Sequence, residues 1–388
     1  MGKIHFASRV NDLKASFIRE VLKSTVKGGA IPLAAGNPSP DAFPVQEVKE
    51  ITGKILTDNP IVALQYGITE GYEPLREILR KKHQVKDDED ILITSGAQQG
   101  IDLSAKTFCN EGDAIICETP SFLGSLSAFR SSLLELSGVM LETDGMNIDQ
   151  LEEKAKTGAK AIYVIPNFQN PTGITTSAEK RRKIYEIACK YNIFIIEDNP
   201  YGDLRYVGDE VPSIKSLDVD GRVVYCGSFS KTLSPGLRVG YVWAKKEIIQ
   251  KMIILKQVID VHTPVLSQMI CNEFMRNYNF TQHILKLRDL YKKKLMLMLD
   301  RIAEDLPDTL KVNAPSGGLF VWGELPKGVD VIDFCKKSLE NGAAIVPSIP
   351  FLVHGDENIS AIRLNFSTPS DEGIIKGIEI LKQITDNR

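Results

Sequence analysis

Between about residues 90 and 245, short apolar runs alternate with stretches of helical periodicity, and this rhythm leaves few folds open to the chain. The runs are Ile91–Thr94, Ala114–Cys117, Leu133–Leu136, Ala161–Ile165, Ile193–Glu197, Val223–Cys226 and Gly240–Ala244. Several are continuously apolar rather than alternating, as strands covered on both faces are. Helix starts lie between them. Ser95 with Gln98, and Thr176 with Glu179, each fit the S/T-x-x-E/Q capping box. Strand–helix alternation of this kind predicts an α/β fold, with a mostly parallel seven-stranded sheet and helices on both sides.

Beyond residue 280 the rhythm changes. Ile284, Leu287, Leu290, Tyr291 and Leu295 recur at helical spacing, predicting a long helix from about Thr281 to Leu306. A strand (Leu319–Trp322), a helix (Val331–Asn341), two short strands (Ala343–Val346 and Ile362–Phe366) and a final helix from about Asp371 complete a smaller α/β unit. Ahead of the first sheet lies an arm, with a short helical segment at Ala15–Lys23 and a Gly/Pro-rich loop through Pro44. The 388 residues exceed one core of about 100–200 residues. The predicted organisation is an arm over 1–45, a large domain over 46–280 and a small C-terminal domain over 281–388.

Global properties exclude several function classes. The chain is 43% hydrophobic and 25% charged, the make-up of a soluble globular protein. A formal net charge of -3 argues against a nucleic-acid or membrane-surface role that rests on a global field. The basic cluster Lys292-Lys293-Lys294 falls in a helical pattern and reads as a solvated face. The start, MGKIHFASRVNDLKASF, has no apolar core of a secretory signal, and no run approaches the roughly 20 apolar residues of a membrane span. Six widely spaced cysteines without a C-x-x-C pair, and five histidines without ligand spacing, predict neither a disulfide framework nor a metal site. Buried free thiols in a reducing cytoplasm are the expectation.

Four motifs stand at strand ends, where open α/β sheets collect their ligands. Ser228-Phe229-Ser230-Lys231 follows the run at 222–226 and leads through Ser234-Pro235-Gly236-Leu237 to Arg238. A lone loop lysine is ordinarily a solvated charge, but hydroxyls and an arginine around it suit a phosphate held near an amine. Nearby positive charge or burial would keep that amine neutral for part of the time, as attack on an aldehyde requires. Asp198, at the tip of the run at 192–197, could pair with a pyridine nitrogen, and Tyr201 three residues on could bond a ring oxygen. Asp at a strand end is more often a turn cap. Asn170-Pro171-Thr172-Gly173 alone is a turn, and Ser95-Gly96-Ala97-Gln98-Gln99-Gly100 opens a helix whose free N–H groups suit a phosphate. The latter is no P-loop, since the G-K-[ST] ending is missing.

In combination, S-F-S-K-T-L-S-P-G-L-R-V-G at 228–240, E-D-N-P-Y at 197–201, N-P-T-G at 170–173, S-G-A-Q-Q-G at 95–100 and R-L-N-F-S at 363–367 resemble the fold-type-I, pyridoxal-phosphate-dependent class I/II aminotransferases. The closest resemblance is to their α-aminoadipate/kynurenine branch, along nearly the full chain. The resemblance implies that Lys231 links covalently to the cofactor and shuttles the substrate Cα proton. It implies that Asp198 faces the pyridine nitrogen, and that Tyr201 and Asn170 bond the ring oxygen. Ser228, Arg238, Gln98 and the Ala97 backbone would hold the phosphate, and Phe122 would stack on the ring where relatives commonly carry Tyr. Arg363 would clamp the substrate α-carboxylate in a bidentate pair, a geometry Lys could not reproduce, with Asn170 beside it.

Tyr66 matches a tyrosine that reaches the neighbouring subunit's phosphate, which implies a homodimer with shared sites; its plain alternative is an amphipathic boundary residue. The arm's Ala15-Ser16-Phe17-Ile18-Arg19-Glu20 matches a substrate-covering helix, placing Ser16 and Arg19 near the side chain. A solvent-facing Arg19 paired with a nearby acid is the alternative. Gly36 would let the backbone approach the substrate. Relatives often read P-G-x-x-F where this chain reads Pro347-Ser348-Ile349-Pro350-Phe351, a stiffer loop beside the pocket. The implied reaction moves an amino group from an L-amino acid (aminoadipate, aromatic, leucine-like or glutamate) to a 2-oxo acid such as 2-oxoglutarate by a ping-pong mechanism. A carbon–sulfur β-lyase on the same scaffold is the alternative. A regulatory binding domain is a remoter one, since such regulators carry a winged helix upstream and no basic recognition helix is seen here.

Overall fold

The structure is a computed structural model that describes residues 4–11, 29–355 and 357–386. Ser16 and Arg19 lie outside the described residues. In chain order the strands are β1 (Ile31–Pro32), β2 (Glu89–Thr94), β3 (Ala114–Thr119), β4 (Glu135–Glu142), β5 (Gly145–Met146), β6 (Ala161–Val164), β7 (Phe194–Asn199), β8 (Val223–Ser228) and β9 (Gly240–Lys245). A second set comprises β10 (Lys311–Val312), β11 (Phe320–Glu324), β12 (Ala343–Ala344), β13 (Val346–Pro347) and β14 (Ala361–Asn365).

Strands β2 to β9 form one sheet in the order β2-β9-β8-β7-β6-β3-β4-β5. The seven predicted strands are all in it. The eighth, β5, is a two-residue strand paired antiparallel with β4 at the edge. Strands β8, β7, β6, β3 and β4 run parallel, and β9 runs antiparallel between β2 and β8. Every residue of β6 is buried, which is why its sequence reads as an unbroken apolar run. One face of the sheet packs Leu103, Leu126, Phe129, Ile248 and Met252; another cluster holds Leu151, Ile184 and Ala188. Because β9 is reversed, the carboxyl ends of β2, β3, β6, β7 and β8 share one edge.

Local differences from the sequence reading have simple causes. The helix after β2 begins at Ala97, with Gly96 (φ 84°) as its N-cap and no side-chain cap, so Ser95 does not cap it. Gln99, not Gln98, turns back, and its Oε1 accepts the Ser95 N–H at 2.8 Å. The later capping residue is Ser177 rather than Thr176, its Oγ accepting from the Lys180 N–H at 3.3 Å. β4 starts at Glu135 because Leu133 takes a left-handed turn (φ 57°) that ends the preceding helix. The strand expected at Ala343–Val346 is divided: β12 pairs parallel with β1, while β13 pairs with β14.

The C-terminal sheet runs β10-β11-β14-β13 and is antiparallel throughout. The helices Phe280–Asp305 and Asp371–Asp386 bury Leu287, Tyr291, Leu295, Ile374 and Ile378 in a core with Phe320 and Leu364. Lys292 and Lys293 are exposed on the long helix, but Lys294 is buried and its Nζ donates to the Pro369 carbonyl at 2.5 Å. The solvated-face reading holds for two of these three lysines. The segment after residue 29 crosses to this sheet: Asn365 N–H donates to Leu33 O at 2.8 Å, and Ser367 Oγ to Asn37 O at 2.7 Å.

Candidate active site

A cavity of about 320 Å³ opens at the shared carboxyl edge. Gly36, Ala97, Gln98, Phe122, Asn170, Asp198, Tyr201, Ser228, Lys231, Arg238 and Arg363 all line it. These come from separate stretches of chain, and the strand ends bring them together. Ile101, Ile165, Pro200, Ser230 and Phe320 complete the wall. Tyr66 is not among them. It is 82% exposed, meets His262 edge-on at 5.8 Å, and borders a separate depression with Ile61, Val62 and Tyr72.

Lys231 follows β8 after a short serine turn in which Ser228 Oγ accepts the Ser230 N–H at 3.1 Å. Its Nζ donates to the Gly36 carbonyl at 2.7 Å. Burial, and then the positive charges of Arg363 and Arg238, push its pKa down to about 8. An amine in that state is partly neutral near physiological pH and can act as nucleophile or base. Gly36 fits closely here, for a Cβ added to it would lie 3.0 Å from Phe320 Cζ.

Asp198 is 3% exposed at the end of β7. Tyr163 Oη donates to its Oδ2 at 2.7 Å and accepts from Ser125 Oγ at 2.8 Å, while Asp198 Oδ1 has no partner. Burial pushes the carboxyl up to about 7, with the Tyr163 hydrogen bond pulling the other way. A buried carboxylate oxygen left without a partner is costly, so the site favours a cationic donor in front of it.

At the opposite end, the N-terminus of the helix Ala97–Phe108 presents free N–H groups beside Ser228 and Arg238. Arg238 Nη2 donates to the Ser95 carbonyl at 2.9 Å. An anion is favoured there by the dipole and the guanidinium together.

Arg363, on β14, is 2% exposed. Its Nη1 donates to Asn170 Oδ1 at 2.8 Å and its Nη2 to the Ala34 carbonyl at 2.7 Å, leaving Nε unpartnered. The guanidinium lies between the rings of Phe320 and Phe351, 4.3 and 4.9 Å from their centroids. Burial lowers its pKa to about 10. Among the described residues no carboxylate forms an ion pair with it, so a buried cation faces the cavity awaiting an anion.

Sequence reasoning missed four residues of this arrangement. Tyr163 and Ser125 lie in a strand and a helix whose apolar patterns hide a polar function. Phe320 reads only as part of a strand and Phe351 only as part of the loop beside the pocket; the fold sets both rings around Arg363. Phe351 sits in the altered Pro347–Phe351 loop, which forms a short 3-10 turn, with Ser348 Oγ donating to the Ile359 carbonyl at 2.6 Å.

Residues 29–381 match the family described as aminotransferase class I and II. The aromatic-amino-acid aminotransferase 1 of Thermococcus litoralis is 40% identical over 98% of this chain and 93% of its own. The kynurenine aminotransferase structure from Pyrococcus horikoshii superposes with a TM-score of 0.94 at 36% identity, over 98% of this chain and 97% of that one. The α-aminoadipate aminotransferase of Thermus thermophilus, solved with N-(5'-phosphopyridoxyl)-L-leucine, superposes at a TM-score of 0.92 and 36% identity, over 98% and 97%. A part-neutral lysine, a buried carboxylate with one oxygen free and a buried arginine without an ion-pair partner among the described residues face one cavity in this fold. This chain therefore belongs to the class I and II aminotransferases, in their aminoadipate/kynurenine branch, and is a pyridoxal-phosphate-dependent transaminase.

Proposed function

We propose that the cavity binds pyridoxal phosphate through Lys231 and takes the α-amino group of an L-amino acid whose carboxylate is held by Arg363. The observation that carries this reading is the buried, unpaired Arg363 facing the same cavity as Lys231. The residues present fit the cofactor. The orphan Asp198 Oδ1 offers an acceptor for a protonated ring nitrogen, Phe122 a stacking face, and Tyr201 and Asn170 donors for a ring oxygen. Ser228, Gln98, the Ala97 N–H and Arg238 suit a phosphate. When bound, pyridoxal phosphate supplies an aldehyde that takes up amines and a cationic ring that withdraws electrons from the substrate Cα.

Each residue of the chain then has a distinct task. Arg363 orients the substrate carboxylate, with Asn170 steadying the guanidinium. Lys231 Nζ removes the proton from Cα and can return it nearby, which its lowered pKa permits. Asp198 keeps the ring nitrogen protonated, and Tyr163 holds Asp198 in place. Phe320 and Phe351 keep water from the Arg363 face.

Substrates are inferred from the relatives and from the arm. Ser16 and Arg19 lie outside the described residues; by resemblance of the A-S-x-I-R-E pattern alone they would lie near the substrate side chain, where Arg19 would meet a distal carboxylate or move aside for an apolar one. Aminoadipate, aromatic, leucine-like and glutamate side chains are the candidates, with 2-oxoglutarate returning as acceptor in a ping-pong cycle. Adding each amino acid to the enzyme without an oxo acid tests this. The expected result is one equivalent of the matching 2-oxo acid per site, no free ammonia, and a shift in cofactor absorbance. Repeated release of pyruvate and ammonia from a cysteine conjugate would instead identify a lyase.

The working unit is proposed to be a homodimer, with residues 46–280 and 281–388 as its large and small domains behind the arm. Ile61, Leu64 and Tyr66, close together in the chain, are 75%, 73% and 82% exposed, apolar surface more typical of an interface than of free surface. Tyr66, outside its own cavity, would reach the partner's phosphate. Mixing Lys231→Ala and Tyr66→Ala variants should then give more activity than the sum of the two alone, because one site of the mixed dimer carries both native residues. A mixture no more active than that sum would contradict shared sites. Six free cysteines fit a cytoplasmic setting, and no described helix is long and apolar enough to cross a membrane.

A further inference from the structure

Behind the turn at residues 95–97 lies a polar cluster of Ser95, Gln99, Lys256 and Asp260, none of which is among the described residues that line the cavity. The side chain of Lys256, in the helix Lys246–Ile259, is 0% exposed. Its Nζ meets Asp260 Oδ1 at 2.7 Å and Oδ2 at 2.9 Å, and donates to Gln99 Oε1 at 2.8 Å. Asp260 Oδ2 also accepts from Gln99 Nε2 at 2.8 Å and from Ser95 Oγ at 2.9 Å. Gln99 Oε1 takes the Ser95 backbone N–H at 2.8 Å. Ser95 is thus held by its N–H and its hydroxyl on this side, and by its carbonyl from Arg238 on the other. Beneath the turn, a Cβ added to Gly240 would lie 2.6 Å from the Gly96 carbonyl carbon and 2.7 Å from the Ala97 nitrogen. The turn has nowhere to settle except where these contacts put it.

A fully buried lysine is expensive to desolvate even beside a partly exposed aspartate, and an apolar side chain of the same shape would often serve stability as well. What apolar side chains could not do is grip the N–H and hydroxyl of Ser95. We infer that Lys256 and Asp260 are positioning residues: through Gln99 and Ser95 they fix the turn whose N–H groups and Arg238 receive the cofactor phosphate. The inference rests on the proposed assignment of that turn as the phosphate cradle. Hydrogen-bond donors act on an anion only when already aimed at it, so a turn free to shift would lose affinity for the phosphate and not for the ring.

The test compares two probes on the cofactor-free protein: pyridoxal 5'-phosphate and pyridoxal, which lacks the phosphate. In Lys256→Met and Asp260→Asn the dissociation constant for pyridoxal 5'-phosphate should rise about tenfold or more, with that for pyridoxal changed by less than about twofold. Ser95→Ala, which removes only one hydroxyl and keeps the backbone intact, should move the ratio in the same direction by about threefold or more; it carries the test should the other variants not fold. Lys215→Met removes another fully buried lysine, paired with Glu89 and Asp218 far from the turn, and should lower thermal stability without moving the ratio. Equal losses for both probes, no loss, or the same ratio change in Lys215→Met would overturn the inference. Arg238→Leu separates the two levels. A ratio unchanged there removes the cradle assignment itself, whereas a ratio moved by Arg238→Leu but not by Ser95→Ala removes only the role of the cluster.

Discussion

Lys231→Ala is expected to lower transamination turnover by about 10⁴-fold or more, with the variant still folded and still able to bind the cofactor. Two losses combine. In the proposed assignment the side chain is both the amine that joins the cofactor and the base at the substrate Cα. Positioned proton transfer alone contributes about 10²–10⁴-fold, and loss of the covalent link adds to that. Among the described residues no other lysine lines the cavity, so no neighbour stands ready to replace it. Single-turnover release of oxo acid measures the effect, and a Lys231→Ala variant with near-native rates would remove the assigned role. A small exogenous amine should restore part of the rate, since the pocket that held the side chain would admit it.

Asp198→Asn should be the next most damaging change, lowering turnover by about 10²–10⁴-fold. The carboxylate is buried, and breaking a buried charge pair costs about 3–5 kcal/mol, which at about 1.36 kcal/mol per decade gives that range. The substitution keeps shape and the possibility of a hydrogen bond from Tyr163 but removes the charge. It also carries a pH signature. With its pKa raised by burial to about 7, Asp198 is protonated below that pH and ionised above it. Wild-type cofactor affinity should therefore weaken as pH falls through about 7, by up to about tenfold per unit, and the variant should lack that break. Parallel pH profiles for the two proteins, or unchanged turnover, would mean that Asp198 does not hold the ring nitrogen.

Much of the fold was legible because burial wrote it into the chain. Strands β3, β6 and β8 are covered on both faces, so their sequences are apolar over most of their length, and the eye finds them at once. Helix starts were less legible. Ser95 and Thr176 satisfy the capping pattern, yet Gly96 and Ser177 take the cap, because a glycine at positive φ and a neighbouring serine compete within one residue of the expected position. The split of the strand at 343–347 depends on β1, a segment more than 300 residues away in sequence, and no local pattern encodes that pairing.

The site divides in the same way. Lys231, Asp198, Asn170 and Arg238 stand in compact motifs at strand ends and Arg363 in one within β14, and resemblance to the family brought their proposed roles with them. The groups that set their chemistry are scattered: Tyr163 lies 35 residues from Asp198, and Lys256 lies 157 from Gln99. Glu118 is a further buried group that the sequence pattern hides. It is wholly buried and pushed up to about 8, and its Oε2 accepts from Gln169 Nε2 at 3.1 Å next to Asn170. Side chains like these look like ordinary core or surface residues until the fold places them.

The most direct test of the central assignment is to load the protein with pyridoxal phosphate, reduce it with borohydride, and locate the added mass by peptide sequencing. The account predicts one modified residue per chain, Lys231, with the modification prevented by prior removal of the cofactor. A cofactor fixed to a different lysine, or an enzyme that transaminates yet traps no cofactor, would contradict it.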